Sequence, residues 1–196
     1  MWRNNVEKGI IGLSNNTLEH FTESPLLSEN LSKWKVVKFA DKLKDVVCLL
    51  TGCTRVDLED HEFKSNRVFR FENKWYGSVR EFLQYFGTDL IRKNLGDNIW
   101  VYATFVDYKP RKLSEYNPSK WIISDVRFPN EVEAIKDRNG IVIRINRNNS
   151  LFKSVVHESE TALDDYDNFD YVINNDGSIG ELVEKIKEIL IEEKII

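Results

Sequence analysis

The strongest constraint in this sequence is an alternation. Short apolar runs of the kind that fill a sheet buried on both faces are each separated from the next by a stretch with helical periodicity. Trp121-Ile122-Ile123-Ser124 is one such run and Ile141 to Ile145 another, while Val36-Val37-Phe39 and Tyr171-Val172-Ile173 are shorter. Around them, Ala40, Leu43, Val46, Val47 and Leu50 recur at helical spacing up to Gly52. Val79, Phe82, Leu83, Phe86, Leu90 and Ile91 share one helical face, and Ile179, Leu182, Val183, Ile186, Ile189 and Leu190 share another behind the capping box Ser178-x-x-Glu181. A strand that is apolar throughout has no solvent-facing side, so its sheet must be covered on both faces, and strands joined through helices run parallel. The expected fold is α/β, a mostly parallel sheet with helices on both faces and strands near residues 36–39, 121–125, 141–145 and 170–173.

The remaining segments say less. Residues 1–33 are polar, with one short apolar patch at Ile10 and Ile11, and are read as a loosely placed helix or two. Residues 54–77 mix charges with aromatics and are read as loop with short elements. A helix is expected from Asp97 to Tyr108, ended by Pro110. Asn130, with Glu133 three residues on, reads as a helix cap, and Gly140 closes that helix. A length of 196 residues fits one domain, taken as residues 1–196 with a lid at about 146–168.

Composition excludes some classes of function. The formal net charge of -4 supplies no basic field for a nucleic-acid polymer, whose binding depends on neutralising many phosphates. Cys48 and Cys53 have no further Cys or His at metal-ligand spacing, which argues against zinc. No stretch approaches the roughly 18 apolar residues of a membrane span, and Met1 to Gly9 carry charges without an apolar core, so the expected location is the cytoplasm.

In a parallel sheet ligands bind beyond the carboxyl ends of the strands, so the residues there are the candidates for chemistry. Asp125 follows an apolar strand directly, where an acid can hold Mg²⁺ or its water shell beside phosphates; a strand-end Asp is also an ordinary turn former. Arg127, Asn130 and Glu131 close behind it add an anion clamp and hydrogen-bonding groups, a set that a surface turn does not need. Arg80, Gln84, Thr88 and Arg92 are spaced by four, drifting about 40° per step on an α-helix, so they line one stripe that is either a phosphate-binding face or a solvated one. Gly87 inside that helix costs about 1 kcal/mol against Ala and points to close approach. Arg144 and Arg147 end a strand, where guanidinium groups can neutralise phosphoryl charge or simply face water. His157-Glu158-Ser159-Glu160 reads as a helix cap.

Several of these stretches, in order, resemble a known family. Phe39-Ala40-Asp41-Lys42-Leu43-Lys44, Arg80 to Asp89 with Arg92, Trp100, Asp125-Val126-Arg127-Phe128-Pro129-Asn130-Glu131, the strand Ile141 to Arg144, His157-x-Ser159-Glu160 and Val172 to Gly177 together are similar to the phage-type deoxynucleoside monophosphate kinases. The likeness covers about residues 36–190. It implies a P-loop nucleotide-kinase-like fold and phosphoryl transfer from ATP, with Mg²⁺, to a deoxynucleoside monophosphate, giving the diphosphate. By the same likeness Asp41, Lys44, Arg80, Gln84, Gly87, Thr88, Arg92, Asn130 and Glu131 stand on the monophosphate side. Asp125 holds the metal, and Arg127, Arg144 and Arg147 attend the transferring phosphates.

The sequence departs from the family at its start. Members open with a strand and a Gly-x-x-x-x-Gly-Lys-Ser/Thr loop whose backbone amides and Lys hold the donor phosphates. Here the early glycines are Gly9 and Gly12, with no Gly-Lys pair before Val36. Both the first strand and its loop are therefore expected to be missing, leaving four strands. The chain alone is then expected to bind its acceptor without efficient turnover, and the expected protein partner is a second copy in a homodimer or a separate chain that carries the missing loop. The second reading is a non-catalytic nucleotide-binding or interaction protein that reuses the fold.

Overall fold

The structure is a computed structural model that describes residues 10–14, 34–72, 74–109, 119–147 and 157–196. Apart from residues 10–14, the helix or two expected within 1–33 lies outside the described residues, as do residues 148–156 of the expected lid.

In chain order the elements are β1 (Ile10–Ser14), β2 (Lys35–Val37), α1 (Ala40–Thr51), α2 (Arg55–Glu59), α3 (His61–Asn66), β3 (Val68–Phe71) and β4 (Lys74–Ser78). There follow α4 (Val79–Gln84), a π-helical stretch (Tyr85–Arg92), α5 (Lys93–Leu95), α6 (Ile99–Phe105), β5 (Trp121–Ile123) and α7 (Pro129–Lys136). The last are β6 (Ile141–Asn146), α8 (Glu158–Thr161), β7 (Tyr171–Asn174) and α9 (Ile179–Glu192). The described chain divides into two compact units, one of residues 1–38 and 107–196, the other Phe39–Val106.

The first unit holds a five-stranded sheet in the order β2-β5-β1-β6-β7, with every neighbouring pair parallel. Strand periodicity sends Ile11 and Leu13 of β1 and Ile141, Ile143 and Ile145 of β6 to one face, where they form a buried core with Leu182, Val183, Ile186, Ile189 and Leu190 of α9. Ile10 and Gly12 turn to the other face, against α7. A Cβ on Gly12 would lie 2.8 Å from Ile135 Cδ1, so glycine at this position lets the helix pack close against the strand. Helices thus cover both faces, and the α/β expectation holds.

The expectation of a missing first strand does not hold. Ile10–Ser14 is the central strand of the sheet, with Ile10, Ile11 and Leu13 all buried. The apolar patch is short because five residues suffice once both neighbours supply parallel hydrogen bonds: β1 pairs Ile11 with Ile122 and with Ile141.

The second unit is built on a core of Val47, Leu58, Phe69, Val79, Phe82 and Phe86. Phe82 is its hub, with ring centroids of Phe69 at 5.2 Å, Tyr76 at 5.4 Å and Phe86 at 5.6 Å. The charged and aromatic stretch 54–77 resolves into two short capped helices and the antiparallel pair β3–β4. Among the described residues no helix is long and apolar enough to cross a membrane.

Candidate functional site

On the sheet unit, β5 delivers Ser124 and Asp125 beyond its carboxyl end, both buried at 1% and 6% exposure. Oγ of Ser124 has no hydrogen-bond partner among the described residues, and Oδ1 of Asn175, just past β7, is in the same condition. Buried polar atoms of this kind are rare, because each costs the desolvation of its group, and they mark places where water, an ion or a ligand completes the bonding. Asn175 is anchored by its backbone N–H, which donates to the Asn146 carbonyl at 2.8 Å. The sequence pointed to these strand ends as segments; the two orphaned atoms required the structure.

The turn after Asp125 is rigid for a specific reason. Glu131 Oε2 accepts from the backbone N–H of Arg127 at 2.7 Å and of Phe128 at 3.1 Å. The expected Asn130 cap is therefore corrected: α7 starts at Pro129, whose fixed φ and missing N–H suit a first helical position, and Glu131 supplies the capping carboxylate. Glu131 is only 3% exposed. Its carboxylate acts on the backbone that carries Asp125 and Arg127, while Arg127 and Asn130 stay half-buried. At its far end α7 closes on Asn139, whose φ of 59° takes the left-handed position expected of Gly140.

Arg144, near the end of β6, is held in place. Its Nε donates to Asn146 Oδ1 at 2.9 Å, Nη2 lies 3.3 Å from Asp164 Oδ1, and the guanidinium stacks 5.7 Å from the Phe169 ring centroid. Arg147 is exposed. His157 Nδ1 accepts from the Ser159 backbone N–H at 3.1 Å, the cap expected of that cluster. Nearby, burial and the Glu133 carboxylate push the Tyr166 hydroxyl well above its ordinary value.

On the second unit, α4 opens with a capping box in which Ser78 N and Oγ both donate to Glu81 Oε2, at 2.7 and 2.8 Å. Those bonds, the backbone one foremost, hold the Glu81 carboxyl below the usual range. The expected single helix then changes its winding, from α over Val79–Gln84 to π over Tyr85–Arg92, where the Lys93 N–H reaches back to the Thr88 carbonyl. Arg80 is exposed, with Nη2 3.2 Å from His61 Nδ1, and Gln84 is half-buried. Thr88 and Arg92 are each 6% exposed, and Arg92 Nη2 lies 3.9 Å from Asp97 Oδ1.

Lys44, buried on α1, donates to Glu59 Oε1 at 2.7 Å. Arg55 ties the same corner, meeting Asp41 Oδ1 at 2.7 Å and Glu59 Oε1 at 3.2 Å. Asp41 and Lys44 are thus joined through one small ion-pair network that fixes the start of α1. The candidate residues fall into two sets by unit: Asp41, Lys44, Arg80, Gln84, Gly87, Thr88 and Arg92 on one, Asp125, Arg127, Asn130, Glu131, Arg144 and Arg147 on the other.

Among the described residues no group of three or more His, Cys, Asp or Glu could enclose a metal ion. Magnesium takes one or two protein oxygens and keeps water and phosphate ligands, and the buried carboxylate of Asp125 at the strand end is an oxygen of that kind. The donor set for ATP fits less well: the sequence after β1, residues 15–33, holds no glycine and, as its one lysine, Lys33.

The family model for deoxynucleotide monophosphate kinase matches residues 11–186, beginning inside β1 and ending inside α9. The chain is 36% identical over 175 residues to the deoxynucleotide monophosphate kinase of Enterobacteria phage T4, covering 82% of this chain and 69% of that protein. A provisionally named deoxynucleotide monophosphate kinase of Acanthamoeba polyphaga mimivirus is 35% identical over 59% of this chain and 63% of its own length. The enzyme of Escherichia phage RB69 is 29% identical over 71% of this chain and 54% of its own. The chain therefore spans between about half and two thirds of the length of these relatives. With the family model running from the central strand to the last helix and the strand-end acid in place, this chain belongs to the deoxynucleotide monophosphate kinase family.

Proposed function

We propose that this chain binds a deoxynucleoside monophosphate as phosphoryl acceptor and serves the transfer of a phosphoryl group from ATP to it, with the donor phosphates poorly held by the chain alone. The observation that carries the reading is the Arg80–Gln84–Thr88–Arg92 row, two guanidinium groups flanking two hydrogen-bonding side chains on one continuous helix. A bidentate guanidinium contact to phosphate is among the strongest hydrogen-bonded pairs, and Gln and Thr suit the edges of a base or sugar. Lys44 and Asp41 belong to the acceptor side in this reading. Asp125 with Ser124 holds Mg²⁺, Glu131 fixes the turn that presents Asp125 and Arg127, and Arg144 and Arg147 serve the ATP phosphates. Magnesium would supply charge neutralisation on the transferring group.

Acceptor binding uses groups that are present. Phosphoryl transfer is almost entirely positioning and electrostatics, and residues 15–33 contain no Gly-x-x-x-x-Gly-Lys-Ser/Thr pattern to position the donor phosphates. The test is a calorimetric titration with each of the four common deoxynucleoside monophosphates beside a coupled kinase assay with MgATP. The expected result is saturable binding of at least one monophosphate and turnover at least a thousandfold below the tens per second of ordinary kinases. A chain that binds none of the four overturns the reading. A soluble nucleotide kinase acting in the cytoplasm, as a copy pair or with a loop-bearing chain, follows from the same proposal.

A further inference from the structure

The chain spends two unusual features on eight residues, and both concern winding rather than side-chain chemistry. The first is the π-helical stretch Tyr85–Arg92 itself, since π turns are rare and usually confined to single bulges. The second is what surrounds Gly87 at its centre. A Cβ there would lie 2.8 Å from Leu43 Cδ2, and the Gly87 carbonyl accepts a hydrogen bond from the buried Trp100 indole Nε1 at 2.9 Å. Widening a helix from i+4 to i+5 bonding frees carbonyls from their usual partners, and a buried carbonyl left unpaired is costly. Trp100, 9% exposed on α6, donates to the Gly87 carbonyl from outside the helix and so ties the π stretch to α6.

The geometric consequence concerns the row of four. In an α-helix a step of four residues passes a full turn by about 40°, so three such steps would carry Arg92 about 120° around from Arg80. A π turn takes more than four residues, so the same step falls short of a full turn and the drift changes sign. One α step, from Arg80 to Gln84, followed by two π steps, to Thr88 and Arg92, therefore largely cancels. The π winding keeps all four side chains on one stripe where a uniform α-helix would spread them over a third of the circumference.

We infer that Trp100 and Gly87 are positioning residues for acceptor recognition: by holding the π winding, through the indole–carbonyl bond and the close Leu43 contact, they align Thr88 and Arg92 with Arg80 and Gln84 on one deoxynucleoside monophosphate. This rests on the acceptor reading of that row. Trp100 acts through the carbonyl of Gly87, and Gly87 acts by having no side chain. The row's chemistry is set by its residues and its register by these two.

The test is calorimetric binding of the four deoxynucleoside monophosphates to the full chain and to Trp100→Phe, Gly87→Ala, Leu43→Val, Gly87→Ala with Leu43→Val, and Arg92→Lys with and without Trp100→Phe, with a melting curve on every sample. Trp100→Phe keeps the aromatic packing and removes the donor, and is expected to weaken binding about fivefold to tenfold, the size of one buried hydrogen bond. Gly87→Ala is expected to weaken it about threefold, because the atom it meets is the far end of the Leu43 side chain. Leu43→Val removes the δ carbons that a Cβ at position 87 would meet and should restore most of that loss. The Trp100→Phe and Arg92→Lys losses should be less than additive, which a general loss of stability would not produce. Equal affinity of wild type and folded Trp100→Phe overturns the inference, and so does a Gly87→Ala loss that Leu43→Val leaves untouched. If Trp100→Phe does not fold, the Gly87 and Leu43 pair decides alone. A wild-type chain that binds no monophosphate overturns the acceptor reading and this inference with it, whereas binding that ignores these substitutions overturns only the inference.

Discussion

Ser124 is where a single residue separates stability from function most cleanly. A buried hydroxyl without a partner costs the fold roughly 1–3 kcal/mol of desolvation, so a purely structural site would carry alanine. Ser124→Ala is expected to leave the melting temperature unchanged or raise it by a few degrees, while weakening magnesium-dependent nucleotide binding several-fold. A drop in stability in that variant would show that the hydroxyl has a structural partner and would remove it from the metal site. Glu81 offers a second test, through pH. Its carboxyl is held low by Ser78, so its contribution to the folded state is present at neutral pH and is lost as pH falls through the folded value, below the ordinary carboxylate range. In Ser78→Ala an NMR titration of Glu81 should move up toward the ordinary value, and acid unfolding should begin at higher pH. An unmoved titration would mean the capping box does not form in solution. None of this was visible in the sequence beyond residue types: Asp125, Arg127 and Glu131 were picked out together, yet the role of Glu131 as a backbone clamp depends on which N–H groups the turn presents to it.

At the scale of elements, legibility followed length and flanking chemistry. The strands β5, β6 and β7 were readable because each is an unbroken apolar run, and α9 because a Ser cap precedes a long amphipathic face. β1 was missed: two isoleucines, a glycine and a leucine set among polar residues give a weak signal, although it is the strand every other one is arranged around. The π stretch was read as ordinary helix, since both windings ask for nearly the same apolar spacing over two turns. The antiparallel pair β3–β4 was hidden because its aromatic side chains pack on helix α4 rather than alternating between core and water. The tightness around β1 is itself testable. A Cβ on Gly140 would lie 2.5 Å from Ile135 Cγ2, 2.9 Å from Ile10 Cβ and 3.0 Å from the Ile10 carbonyl oxygen, the last in backbone that cannot yield, whereas the main obstacle at Gly12 is the far end of the Ile135 side chain alone. Gly140→Ala should therefore destabilise by about 1–3 kcal/mol and Gly12→Ala by less, read from denaturant midpoints. The reverse order would mean that the Ile10 backbone gives way beside Gly140 more easily than the Ile135 side chain does beside Gly12.

For the whole molecule the central question is what an intact parallel sheet does without the loop that usually follows its central strand. β1 ends at Ser14, and the next described residue is Trp34, so the segment between occupies the place in sequence where a phosphate-binding loop would stand. That segment carries Glu19, Glu23 and Glu29, the wrong charge for a polyphosphate, and none of the glycines that a phosphate-binding loop uses. The motif stretches from Phe39 onward stand in the family's order, which is why the family was readable even though the first strand was not. If the missing loop is what limits turnover, replacing residues 15–33 with a Gly-x-x-x-x-Gly-Lys-Thr segment leading into a helix should raise kcat with MgATP by at least a hundredfold and leave monophosphate affinity within about threefold. Losing roughly 5 kcal/mol of transition-state stabilisation leaves under a thousandth of the rate, so even partial repair of the cradle is measurable. In the same grafted chain, changing the new lysine to alanine should return turnover to the starting level without altering acceptor binding. A grafted chain that folds and binds the monophosphate but gains no turnover would place the defect elsewhere in the phosphate machinery, at Arg127, Arg144 or Arg147. An ungrafted chain that already turns over at tens per second would mean that residues 15–33 hold the donor phosphates by chemistry other than a glycine-rich cradle.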